Sequence, residues 1–312
     1  MARRSPHLLI LLPALAATLV AGTVRTAHAV FGGVGDMFVT GDVSNTVRSY
    51  GGTTGSYIGL FGTITNSPLA IDFGATNGRV LVGGFTGGVL EFDAGTGAYI
   101  KTYGPPGWTW SGIYMPSGNV LVASTTTDQL IEYDSVTGAL IGIWATLPIS
   151  YGPSDMRFGP NGNLYVGLYG GHGVYEYDPT SAALVSVVNL APGSRVNDVE
   201  FLNGEILVTA LGTNMVFRFD STPAHNLLGT FAGTGWGNTH GIAVSPHNGH
   251  IYVVDGVSAQ VHEFDPITFV ELNANVLSPP PGDKIVDIEF RVDNRPTPTT
   301  PTTWGRLKQL YR

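Results

Sequence analysis

Asp155, Asp198 and Asp287 stand at matching places in three short runs, SDMRF (154–158), NDVEF (197–201) and VDIEF (286–290). A fold that lays such runs side by side gathers three carboxylates, which repel one another unless a cation or protons intervene. Oxygen donors of this kind suit Ca²⁺, so Asp155, Asp198 and Asp287 form a candidate calcium site. The same residues can instead bond neighbouring backbone amides and so serve a repeat. His240, in HGIAV (240–244), is a candidate acid, base or metal ligand; a lone histidine also reads as a hydrogen-bonded structural residue. Trp108 and Trp110 in GPPGWTW, Tyr151 in ISYGP and Trp236 in GTGWGNTH place broad rings in glycine-rich segments. Such rings can stack on a sugar or grip a peptide, and they can equally wedge between neighbouring repeats.

The elements that must carry these residues recur along the chain. An aromatic residue closes a Val-x-x-aromatic unit at Tyr50, Phe92, Tyr133, Tyr177, Phe219 and Phe264, with gaps of 42, 41, 44, 42 and 45 residues. The valine of the preceding run (Val39, Val82, Val122, Val166, Val208, Val253) lies 7 or 8 residues before the unit's first apolar residue. Each unit divides into four short strands. In the fourth these are SDMRF, LYVGL (164–168), VYEYD (174–178) and LVSVV (184–188), separated by turn residues and alternating with period two. Repeated four-stranded units of this length predict an all-β, six-bladed β-propeller of antiparallel blades. The chain begins with a second-type strand, MFVTG (37–41), and ends with a first-type strand at 286–290. The C-terminal strand is therefore expected to complete the N-terminal blade (37–61) and close the ring. The aspartates after the aromatic residue (Asp93, Asp134, Asp178, Asp220, Asp265) precede turns and read as turn chemistry.

GHIYVVDGVSAQVHEFD (249–265) and GNLYVGLYGGHGVYEYD (162–178) resemble NHL repeats, of the kind also seen in streptogramin-lyase-like propellers, and the resemblance spans about residues 30–293. It implies that first strands line a central channel and that inter-blade loops open on one shared face. The implied channel positions are Ala70, Gly112, Asp155, Asp198, Gly241 and Asp287, beside Ser111, Ser154, Asn197, His240 and Val286. Lyases resembling this fold use several histidines, with a glutamate and Mg²⁺ or with zinc. Here the matches to His240 are Ser111, Ser154, Asn197 and Val286, with Leu69 or Ala70 in the first. His172 is expected near the rim, and His247 and His250 on the opposite face.

Composition narrows the functional classes. Only 12% of residues are charged and the net charge is −8, which argues against nucleic acid as a partner. There is no cysteine, so neither disulfides nor thiolate zinc sites are available. Arg3 and Arg4, the apolar run Leu8–Val20 and Ala27-His28-Ala29 read as a signal peptide over 1–29, predicting a secreted product with no transmembrane span in the mature chain; the alternative is an uncleaved N-terminal membrane anchor. Residues 294–303 read as a Pro/Thr spacer. Residues 304–312 (WGRLKQLYR) read as a short basic amphipathic tail that engages a sorting or attachment partner, or folds back on the propeller. The expectation is an exported binding module. Its ligand, an extracellular glycan, peptide or protein, lies over Trp108, Trp110, Tyr151, Trp236 and His240. The alternative is a metal-dependent lyase or hydrolase using His240 with the channel aspartates.

Overall fold

The computed structural model describes residues 32–62, 64–74 and 77–292. The segments read as signal peptide (1–29), spacer (294–303) and tail (304–312) lie outside the described residues. Among the described residues no helix is long and apolar enough to cross a membrane.

Among the described residues, twenty-four strands form six four-stranded antiparallel blades. Blade 1 runs outward as β24 (Ile285–Phe290), β1 (Met37–Gly41), β2 (Thr46–Tyr50) and β3 (Tyr57–Phe61). Blade 2 is β4 (Pro68–Phe73), β5 (Arg79–Gly84), β6 (Val89–Asp93) and β7 (Tyr99–Tyr103). Blade 3 is β8 (Thr109–Tyr114), β9 (Val120–Ser124), β10 (Gln129–Tyr133) and β11 (Leu140–Thr146). Blade 4 is β12 (Pro153–Phe158), β13 (Leu164–Leu168), β14 (Gly173–Tyr177) and β15 (Leu184–Asn189). Blade 5 is β16 (Val196–Leu202), β17 (Glu205–Ala210), β18 (Met215–Asp220) and β19 (Leu227–Phe231). Blade 6 is β20 (Thr239–Val244), β21 (Ile251–Asp255), β22 (Gln260–Phe264) and β23 (Glu271–Asn273).

The ring closes as the strand order predicts. β24 pairs antiparallel with β1, with Val39 opposite Ile288 and Phe38 opposite Glu289. Arg48 and Ser44 both bond Asp283, just before β24, and Arg291 exchanges backbone bonds with Gly35 and Asp36. First and last segments of the propeller are thus held by side chains as well as by the ladder.

Apolar residues on both faces of the second strands explain their near-continuous Val/Leu/Ile content, since each blade packs between two others. Six buried clusters follow the six junctions. Phe38, Phe61, Ile71 and Val82 join blades 1 and 2, and Leu81, Val89 and Val122 join blades 2 and 3. Ile113, Leu130, Met156 and Val166 join blades 3 and 4, and Val174, Val199 and Val208 join 4 and 5. Val216, Ile242 and Val253 join 5 and 6, and Tyr252, Val261, Val39 and Ile288 return to blade 1. At the second junction Gly84 pairs Thr109 across blades. A Cβ on Gly83 would lie 2.0 Å from the Trp110 carbonyl oxygen, so only glycine permits that approach.

The repeated aspartates do serve the turns. Asp93 Oδ1 accepts from the Gly95 and Thr96 amides and the Thr96 hydroxyl. Asp134, Asp178 and Asp265 repeat this with Thr137, Ser181 and Thr268, and Asp220 bonds Thr222 and Asn226.

Candidate functional site: the mouth of the central channel

Every inner strand carries a β-bulge at the same level. Two residues oppose one on the second strand at 286–287, 69–70, 110–111, 154–155, 197–198 and 240–241. A bulge bends the strand and re-aims its side chains, and here it does so around the axis six times. The first bulge residues form the upper tier: Val286, Leu69, Trp110, Ser154, Asn197 and His240. The second form the tier below: Asp287, Ala70, Ser111, Asp155, Asp198 and Gly241.

This register corrects two sequence expectations. Gly112 pairs Val122, as Met156 pairs Val166, so Ser111 and not Gly112 shares the tier of Asp155. The residue matching His240 in blade 3 is accordingly Trp110, not Ser111. The hairpin between first and second strands varies in length among blades, so matching SGI to HGI aligned glycines rather than pairing partners. Gly241 itself is required. A Cβ there would lie 2.3 Å from Asp287 Oδ1.

The upper tier floors a cavity of about 440 Å³ to which all six blades contribute. Leu69, Trp110, His240 and Val286 line its base; Phe85, Tyr169, Leu211 and Gly212, from loops after second strands, and Gly193, Arg195, Asn238 and Lys284, from segments before first strands, form its wall. One side is aromatic. Trp108 stacks behind Trp110 at 5.4 Å and 26°, and Tyr169 and Phe85 close the group at 4.8 Å from Trp110 and 5.0 Å from Trp108. Trp110 is 3% exposed, so it anchors the base, whereas Phe85 at 39% forms the rim. The opposite side is polar. Asn238 Nδ2 donates to His240 Nε2 at 3.1 Å, which leaves the ring proton on Nδ1, a buried atom without a partner. Ser154 Oγ and Asn197 Oδ1 in the same tier are also buried and unpartnered. Burial, with Lys284 second, pushes His240 down to about 3, so its imidazole is neutral near pH 7.

The other expected aromatics lie elsewhere. Tyr151 packs on Tyr175 against the core of blades 3 and 4. Trp236 packs edge-on against His262 and Phe264 in blade 6. Both take the wedge role, and neither lines the cavity. His172 Nδ1 accepts from the Gly193 amide at 3.1 Å and so fixes a wall segment. His247 bonds the Gly35 carbonyl and His250 bonds Glu263.

Below the mouth, the aspartates tie blades together. Asp287 accepts from the amides of Ile288 and, in the next blade, Ile71. Asp198 accepts from Val199 and, in blade 6, Ile242. Asp155 stands near enough to Asp198 for the two carboxyls to influence one another's protonation. Among the described residues no three His, Cys, Asp or Glu side chains converge as a metal-binding group. Burial, then Asp287, pushes Asp155 up to about 7, a direction in which protons relieve part of the mutual repulsion foreseen from sequence. Burial likewise drives Asp198 and Asp287 well above the ordinary carboxylate range. The remaining relief is a residue that sequence reading missed. Arg157, one tier lower, bonds Glu289 at 2.8 Å and Glu200 at 3.2 Å. Blades 4 and 1 stand opposite in a ring of six, so the Arg157–Glu289 bond crosses the axis. Only the alternation in DMRF, VEF and IEF could have flagged this tier.

Raised carboxylate pKa values give a stability profile of definite sign. The folded chain holds protons that the unfolded chain releases near pH 4, so stability from this tier is lost as pH rises through the folded pKa values. His240 acts in the opposite sense but only below about 6.5, its ordinary value. Between pH 6.5 and 8.5 the thermal midpoint should therefore fall, and Asp155→Asn should flatten the slope, at up to ~1.4 kcal/mol per pH unit per group. Identical profiles for Asp155→Asn and the parent would refute this assignment.

No protein-family model matches the chain, and no curated protein sequence matches it. Solved structures do. A chain of a nidogen/laminin complex superposes with TM-score 0.66 at 10% identity, covering 83% of this chain and 99% of that one. A protein of unknown function from Bacteroides caccae gives 0.60 at 16%, covering 81% and 97%. A functionally unknown protein from Desulfotomaculum acetoxidans gives 0.53 at 12%, covering 76% and 77%. At these identities the likeness is one of fold. The chain is a β-propeller.

Proposed function

We propose that this chain is an exported, NHL-like propeller acting as a binding module, with its ligand seated in the channel-mouth cavity. The observation that carries the reading is the cavity's composition. All six blades supply it, one wall is aromatic, and among the described residues its lining contains a single imidazole and no carboxylate. An acid–base pair of the kind hydrolases need is not assembled there, while an aromatic-walled concavity with a few polar groups is what recognition requires. Partners of the expected classes are an extracellular glycan, peptide or protein, and a propeller of like fold occurs within a nidogen/laminin complex. Secretion through residues 1–29 and attachment through 304–312 belong to the same reading.

The test is retention of ligands from immobilised glycan and peptide libraries by the chain starting at Val30. Tyr169→Ala and Phe85→Ala should each weaken retention about tenfold, or about 1.4 kcal/mol, with an unchanged thermal midpoint. Retention indifferent to both substitutions would move the site off this face. Metal-dependent turnover of a library member, abolished by His240→Ala, would favour the lyase or hydrolase alternative.

A further inference from the structure

We infer that the cavity takes an acidic sugar, a hexuronate at the end of a glycan, with its carboxylate held between Arg195 and Lys284. This rests on the binding-module reading and specifies its ligand. The charged residues lining the cavity are Arg195 and Lys284, both cations, in a chain whose net charge is −8. An acidic protein with a concavity lined by cations and, among the described residues, free of carboxylates is arranged to admit an anion.

Neither cation is committed to a tight internal pair. Among the described residues Arg195 forms no salt bridge; its guanidinium lies 5.7 Å over the Tyr169 ring. Its backbone is fixed in the left-handed region at φ 52°, with its carbonyl accepting from Leu211. A fixed backbone and a stacked guanidinium leave the planar fork of donors for a carboxylate, which it matches two bonds at a time. Lys284 reaches Asp42 only at 3.8 Å and is half-exposed, so its ammonium retains donors for a second partner.

The rest of the cavity matches a pyranose. A sugar ring has apolar C–H faces and a hydroxyl-bearing edge. Tyr169, Phe85, Leu69 and Trp110 face the former, while Asn238 and the backbone of Gly193 and Gly212 can meet the latter. The volume of about 440 Å³ falls within the roughly 300–1,000 Å³ of small-ligand sites. An acidic peptide would instead want an extended groove or an open strand edge, and the cavity is a cup.

Tryptophan fluorescence and calorimetry at pH 7 with a glucuronate-ended disaccharide, cellobiose, inorganic phosphate and a Glu-rich peptide test this. The uronate should bind at least tenfold tighter than cellobiose, and 0.5 M NaCl should erase most of that preference. Arg195→Met and Lys284→Met should each lower uronate affinity about tenfold and leave cellobiose unchanged; Arg195→Lys should recover part of the loss. Equal affinity for the two sugars, preference for phosphate or peptide, no uronate binding, or uronate binding indifferent to both substitutions would each overturn the proposal. Should either variant misfold, salt dependence and sugar preference in the unaltered chain still decide. Library ligands that are neutral, yet lost in Tyr169→Ala, would retain the binding module and remove only its acidic specificity.

Discussion

A chain ending at Lys284 should fail to fold cooperatively, while one ending at Val292, which retains β24, should unfold in a single sharp transition. The shorter chain lacks β24, whose Ile285, Val286, Ile288 and Phe290 are all at most 1% exposed. At ~1.5–3 kcal/mol per buried apolar side chain, the loss is roughly 6–12 kcal/mol, comparable with the whole stability of an ordinary domain, about 5–15 kcal/mol. Hydrogen bonding worsens the balance. β1 would present a bare edge, Thr40 would lose the Asp287 amide that donates to its hydroxyl, and the Ile71 amide would lose the Asp287 carboxylate. Urea denaturation followed by circular dichroism, with dye binding to report exposed apolar surface, reads the outcome. A sharp transition in the shorter chain, at a urea midpoint close to that of the longer one, would mean that closure contributes little.

Arg157→Met should be the most damaging single substitution within the channel, at about 3–5 kcal/mol. The cost does not measure a favourable ion pair. It arises because the buried Glu200 and Glu289 lose the guanidinium they share, and taking the cation from between two buried carboxylates costs more than the pair contributes. A triple variant, Arg157→Met with Glu200→Gln and Glu289→Gln, should recover much of the loss by removing both carboxylate charges. Chemical denaturation of the three proteins separates the two explanations. If the triple variant is no more stable than Arg157→Met, packing of the long side chain outweighs its charge.

The architecture was legible because it is repeated. Val-x-x-aromatic spacing, turn aspartates and the odd first and last strands all follow from four strands packing between two neighbours, and six copies average out local exceptions. Closure was legible for the same reason, and Val39 lies opposite Ile288 as that count requires. The site was only partly legible. Trp110 and His240, named as candidates, do line the cavity, but the bulge that sets them in one tier depends on hydrogen-bond register, which sequence spacing does not report when hairpin lengths vary. Trp236 and Tyr151 were misplaced because an amphipathic ring suits a rim and a core equally. Arg157 was missed because its partners come from other blades, Glu200 from the next one and Glu289 from the one across the axis, and no local spacing brings them together. Phe85, Tyr169, Arg195 and Lys284 carry no repeat signal at all, since residues that distinguish one blade from another are what periodicity discards.

The strut from Arg157 to Glu289 makes the basin above it a dead end. A polymer threading from one side of the disc to the other would have to break that bond, so whatever enters leaves most readily by the route it came. A polymer can then present only a terminus or a side branch, never an interior stretch drawn through the hub. Occupancy should accordingly scale with the number of free chain ends in a sample rather than with its total mass, and trimming a long polymer into short pieces should raise capture at constant weight.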